Sequence, residues 1–290
     1  MRYRLLIVLA TVIWGSSFVI VKDVTGFLDP AWLLAFRFGV AAVLLAAAFA
    51  PKRRELFLRR DHVLVGLLFG AALFLAYFLQ TIGIMYTTPG KNAFLTGTYC
   101  VLVPFFAWFA TRRRPTAFNL VAAVLCIVGI GLVSLGNVDG VNVGDLLTLA
   151  CAVFYAIHIV LVSRFSEGRD IYVLTTWQFA GVALLSVVAA LASGADGACF
   201  ATLGPSQWGQ LLYLAVCCTA LALLFQNVGQ ANIPPASASL LLSLESPFGV
   251  AFSVALGAES LTAKVLLGFA LIFAAIVVSE VLPERMAGKR

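Results

Sequence analysis

Ten runs of mostly apolar residues follow one another along the chain with only short breaks between them. They cover residues 4–24, 30–50, 62–84, 91–111, 117–136, 144–164, 171–193, 207–229, 235–257 and 263–282. A helix of about 20 residues spans the ~30 Å hydrocarbon layer of a bilayer, and each run has about that length. The breaks carry helix-ending punctuation: Asp29-Pro30, Pro51, Pro89-Gly90, Pro115, Asp139-Gly140, Pro205 and Pro234-Pro235. The runs are continuous rather than alternating, which excludes the strands of a membrane barrel. With 62% apolar and 11% charged residues, the 290-residue chain has too little polar surface for a soluble enzyme or a disordered segment. The expectation is an all-α integral membrane protein with ten transmembrane helices. The first run is too long for a signal-peptide core and is read as a retained helix. No broken helix is evident.

The net charge of +6 belongs to topology. If the N-terminus faces the cytoplasm, the inner segments hold Arg2, Arg4, Lys52, Arg53, Arg54, Arg59, Arg60, Arg112, Arg113, Arg114, Arg164, Arg169, Arg285, Lys289 and Arg290. The outer segments hold Lys22, Lys91 and Lys264, and Arg37 lies within a run. Short cytoplasmic loops are enriched in Lys and Arg, so both termini are expected inside. Basic residues spaced in this way do not form a nucleic-acid patch, and no nucleic-acid partner is expected. Five of the six cysteines, Cys100, Cys126, Cys151, Cys217 and Cys218, fall inside apolar runs, and Cys199 falls in a loop. None has metal-ligand spacing, so neither a metal nor a disulfide framework is expected.

The chain also repeats itself. At an offset of 146, Gln80-Thr81-Ile82-Gly83 matches Gln226-Asn227-Val228-Gly229. The same offset pairs Pro89 with Pro235, Leu95 with Leu241, Tyr99 with Glu245, Phe106 with Phe252 and Thr116 with Thr262. Earlier in each half an offset of 141 pairs Trp14 with Tyr155, Arg37 with Gln178 and Phe38 with Phe179. The division predicts two five-helix repeats, residues 1–140 and 141–290. Five is odd, so the second repeat enters the membrane from the opposite side and the two are inverted. Secondary transporters share that plan, with a substrate site near the midplane between the halves.

Polar groups deep in a membrane are costly and therefore informative. Glu245 sits near the middle of its run with no Lys or Arg within a helical turn. It reads equally as a cation- or proton-binding carboxylate or as a group that hydrogen-bonds helices together. His158 is three residues beyond Tyr155, and is either a proton relay or a buried histidine bonded to a neighbouring helix. Arg37 reads mainly as structural. Trp14, Tyr99 and Tyr155 lie near the centres of their runs, whereas interfacial aromatics lie at the ends. The pairs Trp14/Ser17, Tyr155/His158, Tyr77/Gln80 and Thr96/Tyr99 each share a helix face. Together with Glu245 they are expected to line an amphipathic substrate cavity, with Glu245 and His158 as the candidates for proton coupling. Gly66 and Gly70 read as a close helix-packing pair.

Several short motifs, taken in order, resemble the drug/metabolite transporter superfamily in its ten-helix EamA-type branch. They are Trp14-Gly15-Ser16-Ser17-Phe18 with Lys22, Arg37-Phe38, Tyr86-Thr87-Thr88 leading to Ala93-Phe94-Leu95-Thr96-Gly97, Gly144-Asp145-Leu146-Leu147, Leu242-Ser243-Leu244-Glu245, and Gly257 through Thr262. The resemblance spans essentially the whole chain. It implies an exporter or facilitator of amino acids or other small metabolites in the cytoplasmic (inner) membrane of a bacterium, without a cofactor. Two positions depart from the pattern: Cys100 and Ser246 stand where relatives carry proline, with Pro104 and Pro247 displaced along the chain. The partners expected are a small-molecule substrate, the lipid bilayer and protons. A ligand-binding sensor or scaffold is the alternative. A membrane-embedded enzyme lacks its motif, because His62 and His158 lie in different runs and no HExxH or GxSxG occurs. No P-loop for a primary pump is present.

Overall fold

The computed structural model describes residues 1–112, 114–134, 142–255 and 262–280. The expected boundary between the halves at 140/141, the basic residues Arg113, Arg285, Lys289 and Arg290, and the motif at Gly257 lie outside the described residues. Every regular element among those described is helical. In chain order they are α1 (Arg2–Gly15), α2 (Ser17–Val24), α3 (Pro30–Leu58), α4 (Arg60–Tyr86), α5 (Pro89–Gly97), α6 (Tyr99–Thr111), α7 (Ala117–Ser134), α8 (Val143–Phe165) and α9 (Ile171–Ser193). After a 3₁₀ turn at Gly197–Thr202 come α10 (Pro205–Tyr213), a π-helical segment (Leu214–Leu221), α11 (Ala222–Gln230), α12 (Pro235–Leu242), α13 (Glu245–Ala255) and α14 (Ala263–Glu280).

Six of these helices or continuous helical stretches are long and apolar enough to cross a membrane, or seven if α1 and α2 count as one bent span. Shorter apolar helices occupy 117–132 and 266–275. Large apolar side chains such as Val43, Leu184, Leu191 and Phe273 project from the perimeter of the bundle. A water-exposed surface of that kind would be a severe liability, whereas lipid solvates it at no cost. The protein is a multi-pass membrane protein.

Polar residues set the helix starts. Asp29 accepts bonds from the backbone N–H groups of Ala31 and Trp32 to open α3, with Pro30 in the first turn. Asp170 does the same for Tyr172 and Val173 at α9. Asn142 and Asp145 cap α8 reciprocally. Each such cap satisfies N–H groups that the helix itself cannot.

The structure corrects two expectations about continuity. Pro51 does not end a helix: α3 runs on to Leu58 through a kink at Arg53, whose backbone leaves helical geometry. Arg53 holds that bend, with its guanidinium over Phe49 and Tyr172 and Nε 2.7 Å from Asp170 Oδ2. The expected unbroken runs at 4–24, 91–111 and 235–257 are also each interrupted. α1 and α2 meet at Ser16 with a 41° bend, α5 and α6 at Thr98, and α12 and α13 at Ser243-Leu244. Ser16 and Thr98 donate their hydroxyls to the carbonyls three residues back, Ile13 at 2.7 Å and Leu95 at 2.6 Å, which tightens the turn. At the third break, Pro247 cannot bond to the carbonyl of Ser243. None of these signals shows in an apolar profile.

Packing is closest where glycines meet backbone. α4 lies along α9, and a Cβ on Gly70 would sit 2.7 Å from the Gln178 carbonyl oxygen. A Cβ on Gly66 would collide with the Trp177 side chain. Gly83 of α4 seats against Gly144 and Thr148 of α8, and Gly229 of α11 against Tyr3 and Ile7 of α1. Gly70→Val is expected to destabilise the folded protein by about 1–3 kcal/mol through overpacking. Gly39→Ala, whose added carbon meets open space, is expected to be neutral or stabilising by up to about 1 kcal/mol. Thermal unfolding of both variants in detergent checks the contrast.

Candidate functional site

The helix breaks surround a central cavity, open at its mouth, with about 620 Å³ of space not occupied by atoms, open solvent included. Its residues are drawn from both halves of the chain. Trp14, Ser17, Tyr77, Gln80, Thr96, Tyr99, Tyr155 and Glu245 all line it. Those lining residues that continue toward one end of the bundle, Val21, Ile84 and Asn92, stand where α2 and α4 finish and α5 begins. The opposite end is tied by the Arg53–Asp170 ion pair, which joins the end of α3 to the start of α9.

Two ionisable side chains face this space without a partner of opposite charge among the described residues. Arg37 is 2% exposed and donates Nε to Thr219 Oγ1 at 3.0 Å, with its guanidinium 5.4 Å from the Tyr77 ring centre. Glu245 is 7% exposed and takes one hydrogen bond, from Tyr99 Oη at 3.3 Å. Between them runs a wall of rings: Tyr77 contacts Tyr155 at 5.5 Å, and Tyr155 contacts Tyr99 at 6.2 Å. The cavity wall therefore carries a guanidinium and a carboxyl group linked by a run of aromatic rings. Burying either charge in hydrocarbon without compensation costs several kcal/mol.

The remaining polar groups form a framework behind the rings. Tyr155 Oη donates to Gln80 Oε1 at 2.9 Å, and Gln80 Nε2 donates to Thr96 Oγ1 at 3.0 Å. Asn92 Nδ2 reaches Thr148 Oγ1 at 2.9 Å, while its Oδ1 has no protein partner. Trp14 Nε1 donates to the Cys218 carbonyl at 2.8 Å. That carbonyl belongs to the π-helical segment, whose widened turn leaves some backbone acceptors free for side chains. The same segment supplies Thr219 to Arg37.

His158 stands apart from the others. It is fully buried but does not line the cavity. Its ring packs edge-on to Phe69 at 6.3 Å, and Gln178 is the polar side chain that faces it. Neither ring nitrogen has a well-formed hydrogen bond. The reason lies in helix geometry: a residue three positions on is rotated about 60° from its partner. That rotation turns His158 toward α4 and α9, while Ile159 takes the place beside Tyr155 in the cavity wall.

Sequence reasoning left four polar lining residues off the candidate set: Arg37, Thr81, Asn92 and Gln226. Gln226 is the repeat counterpart of Gln80 and could have been found by that signal. Among the described residues no three His, Cys, Asp or Glu side chains gather as metal ligands.

Tyr155→Phe removes the Gln80 bond without changing the ring. It is expected to lower stability by about 0.5–1.5 kcal/mol, measurable as a fall in the thermal midpoint of the purified protein.

Comparison with known proteins adds a second kind of evidence. The model of the EamA-like transporter family matches residues 1–135 and 142–280. An uncharacterized transporter of Archaeoglobus fulgidus is 32% identical over 93% of this chain and 83% of its own. The biotin transporter of Escherichia coli K12 is 23% identical over 87% of this chain and 84% of its own. A crystal structure of a protein with 17% identical residues superposes with a TM-score of 0.81 over 98% of both chains, a likeness of fold alone.

Proposed function

Because the chain belongs to the EamA-like transporter family, and is thereby a membrane transporter, we propose that it is a secondary transporter. It acts as an exporter or facilitator for small organic metabolites such as amino acids or amines. The observation that carries this reading is the pair of buried ionisable groups, Arg37 and Glu245, that line one aromatic-walled cavity without an ion-pair partner among the described residues. A substrate bearing a carboxylate or an amine, with an apolar body over Tyr77, Tyr155 and Tyr99, would supply the missing counter-charges. Trp14, Ser17, Gln80 and Thr96 would complete its hydrogen bonds and packing.

The architecture we infer for this activity is two inverted five-helix repeats making ten crossings, which exchange to give alternating access. Several features support it. The breaks before α6 and α13 fall at Tyr99 and Glu245, which are 146 residues apart and hydrogen-bonded to one another. α5 and α12 both begin on the paired prolines Pro89 and Pro235. Gly83 packs on Gly144 and Thr148, whose counterparts at an offset of 141, Tyr3 and Ile7, pack on Gly229. The helix caps Asp29 and Asp170 are also 141 apart. The distribution of Lys and Arg favours cytoplasmic termini, which places the Val21–Ile84–Asn92 end outside, and the membrane proposed is the inner membrane of a bacterium.

Glu245 is the group proposed to exchange a proton or a cationic substrate group during the cycle. Its place beside the breaks α5/α6 and α12/α13 would couple its occupancy to their movement. His158, fully buried outside the cavity, would relay a proton only in a state that opens its surroundings.

Glu245→Gln keeps the size of the side chain and removes its charge. Loss of a charge-assisted contact of about 1.5–3 kcal/mol is expected to reduce flux into proteoliposomes by roughly 10- to 100-fold. The folded protein should remain in the membrane. A thermal-shift screen of amino acids, amines and biotin, the last suggested by a relative's name, supplies the substrate. Undiminished flux in the variant removes Glu245 from the mechanism.

A further inference from the structure

Beyond the central cavity the structure holds a second cluster of buried polar groups, between α8, α9 and α11. Asn227 Nδ2 donates to Gln178 Oε1 at 2.9 Å and to Thr175 Oγ1 at 3.0 Å. His158 lies against the same Gln178. All four side chains are 0% exposed. Yet among the described residues Asn227 Oδ1, Gln178 Nε2 and both nitrogens of His158 have no well-formed hydrogen bond. Each such orphan costs about 1–3 kcal/mol, and native proteins retain few without a reason. The cluster is not lined by the cavity and takes no part in the site described above.

Its reason follows from the repeat. His158, Gln178 and Asn227 are the counterparts of Ser17, Arg37 and Thr81 at the offsets 141 and 146. Those three residues of the first half line the central cavity, although they are only 8%, 2% and 1% exposed, while their three counterparts in the second half are fully buried and outside its lining. We propose that His158, Gln178 and Asn227 form a second substrate-contacting site, on the cytoplasmic side, which opens when the outer cavity closes. The proposal rests on the inverted-repeat transporter reading. The unpaired atoms define the ligand chemistry. Gln178 Nε2 and a histidine N–H are donors, and Asn227 Oδ1 is an acceptor, so the site suits the carboxylate or amide end of the metabolite that Arg37 holds in the outward state. All three positions differ between the two sides, and the difference in charge is at one of them: a guanidinium outside corresponds to a neutral amide inside. The inner site therefore holds an anionic group less tightly and favours its release there.

Sided cysteine labelling tests this in the full-length protein. Cys199 and Cys217, the two cysteines not fully buried, are first replaced by alanine. Thr81→Cys, Asn227→Cys and Gln178→Cys are then made singly and treated in sealed vesicles with the impermeant reagent trimethylammonium-ethyl methanethiosulfonate, from either face. Variants that elute like the parent in size exclusion are compared with the buried native Cys126. Thr81→Cys is expected to react from the outer face. Asn227→Cys and Gln178→Cys are expected to react only from the inner face, at least about tenfold faster than Cys126. With two inner variants, failure of one to fold leaves the other to decide. Labelling of both at the Cys126 rate, or from the outer face, overturns the proposal while reaction of Thr81→Cys leaves the transporter reading standing. A Thr81→Cys chain that is inert from the outer face overturns the cavity reading itself, and the inner site with it.

Discussion

Inside a bilayer no water is available to a polar group, so each one must find a partner in the protein or wait for one from outside. This constraint sorts the buried polar residues into two kinds. Thr81, Thr175, Thr176 and Ser186 return their hydroxyls to the carbonyl four residues back on their own helix. They satisfy their own hydroxyl protons locally, wherever on the helix they lie. Arg37 and Glu245 cannot do so, because a charge needs more than one backbone carbonyl or tyrosine hydroxyl to offset its desolvation. The protein places both beside empty space. The geometry that makes them expensive in the bundle is what would make them useful to the complementary substrate proposed above.

The irregular backbone serves the same end. A straight helix keeps all its carbonyls to itself. The π-helical turn at Leu214–Leu221 releases the Cys218 carbonyl to Trp14 and positions Thr219 for Arg37. The breaks at Ser16, Thr98 and Ser243-Leu244 bring Ser17, Tyr99 and Glu245 to the cavity at the starts of new helices. Departures from regular helix thus concentrate around one volume, where a membrane protein can tolerate them because the freed groups face a cavity rather than lipid.

How much of this could be read in the sequence depends on whether the signal is local. The apolar runs and their Pro and Asp punctuation locate α4, α8, α9 and the start of α3 closely, since helix starts are fixed by caps such as Asp29 and Asp170 that act over three residues. The central aromatics were legible for a different reason: Trp14, Tyr99 and Tyr155 sit at depths where neither lipid headgroups nor water can explain them. The helix breaks were not legible, because Ser16 and Thr98 look the same whether they decorate a helix or end one. Nor was the fate of His158. The spacing from Tyr155 is compatible with a shared face, but the rotation of one helix against its neighbours decides which flank of that face meets the cavity. Arg37 was visible as an anomaly, yet its role depended on the Thr219 hydroxyl, 182 residues away.

On the inverted-repeat reading proposed above, the two halves are alike in where they bend and unlike in what they present. Tyr99 meets Glu245 at the centre, so equivalent positions now supply a donor and an acceptor to one bond. Arg37 corresponds to Gln178, Thr81 to Asn227, and Ser17 to His158. A duplicated fold with identical halves would offer a substrate the same surroundings from either face. Divergence at these few buried positions leaves packing almost untouched, because helix contacts such as those of Gly83 and Gly229 lie elsewhere, but it changes the field along the path. A negatively charged group moving from Arg37 toward Gln178 leaves a fixed cation for a neutral amide, and a positively charged one feels the opposite gradient toward Glu245. Direction cannot come from this difference alone, since affinities on the two sides do not shift an equilibrium. What the difference sets is the working range: the concentration at which each face fills, and hence the side from which a substrate of given charge is taken up most readily.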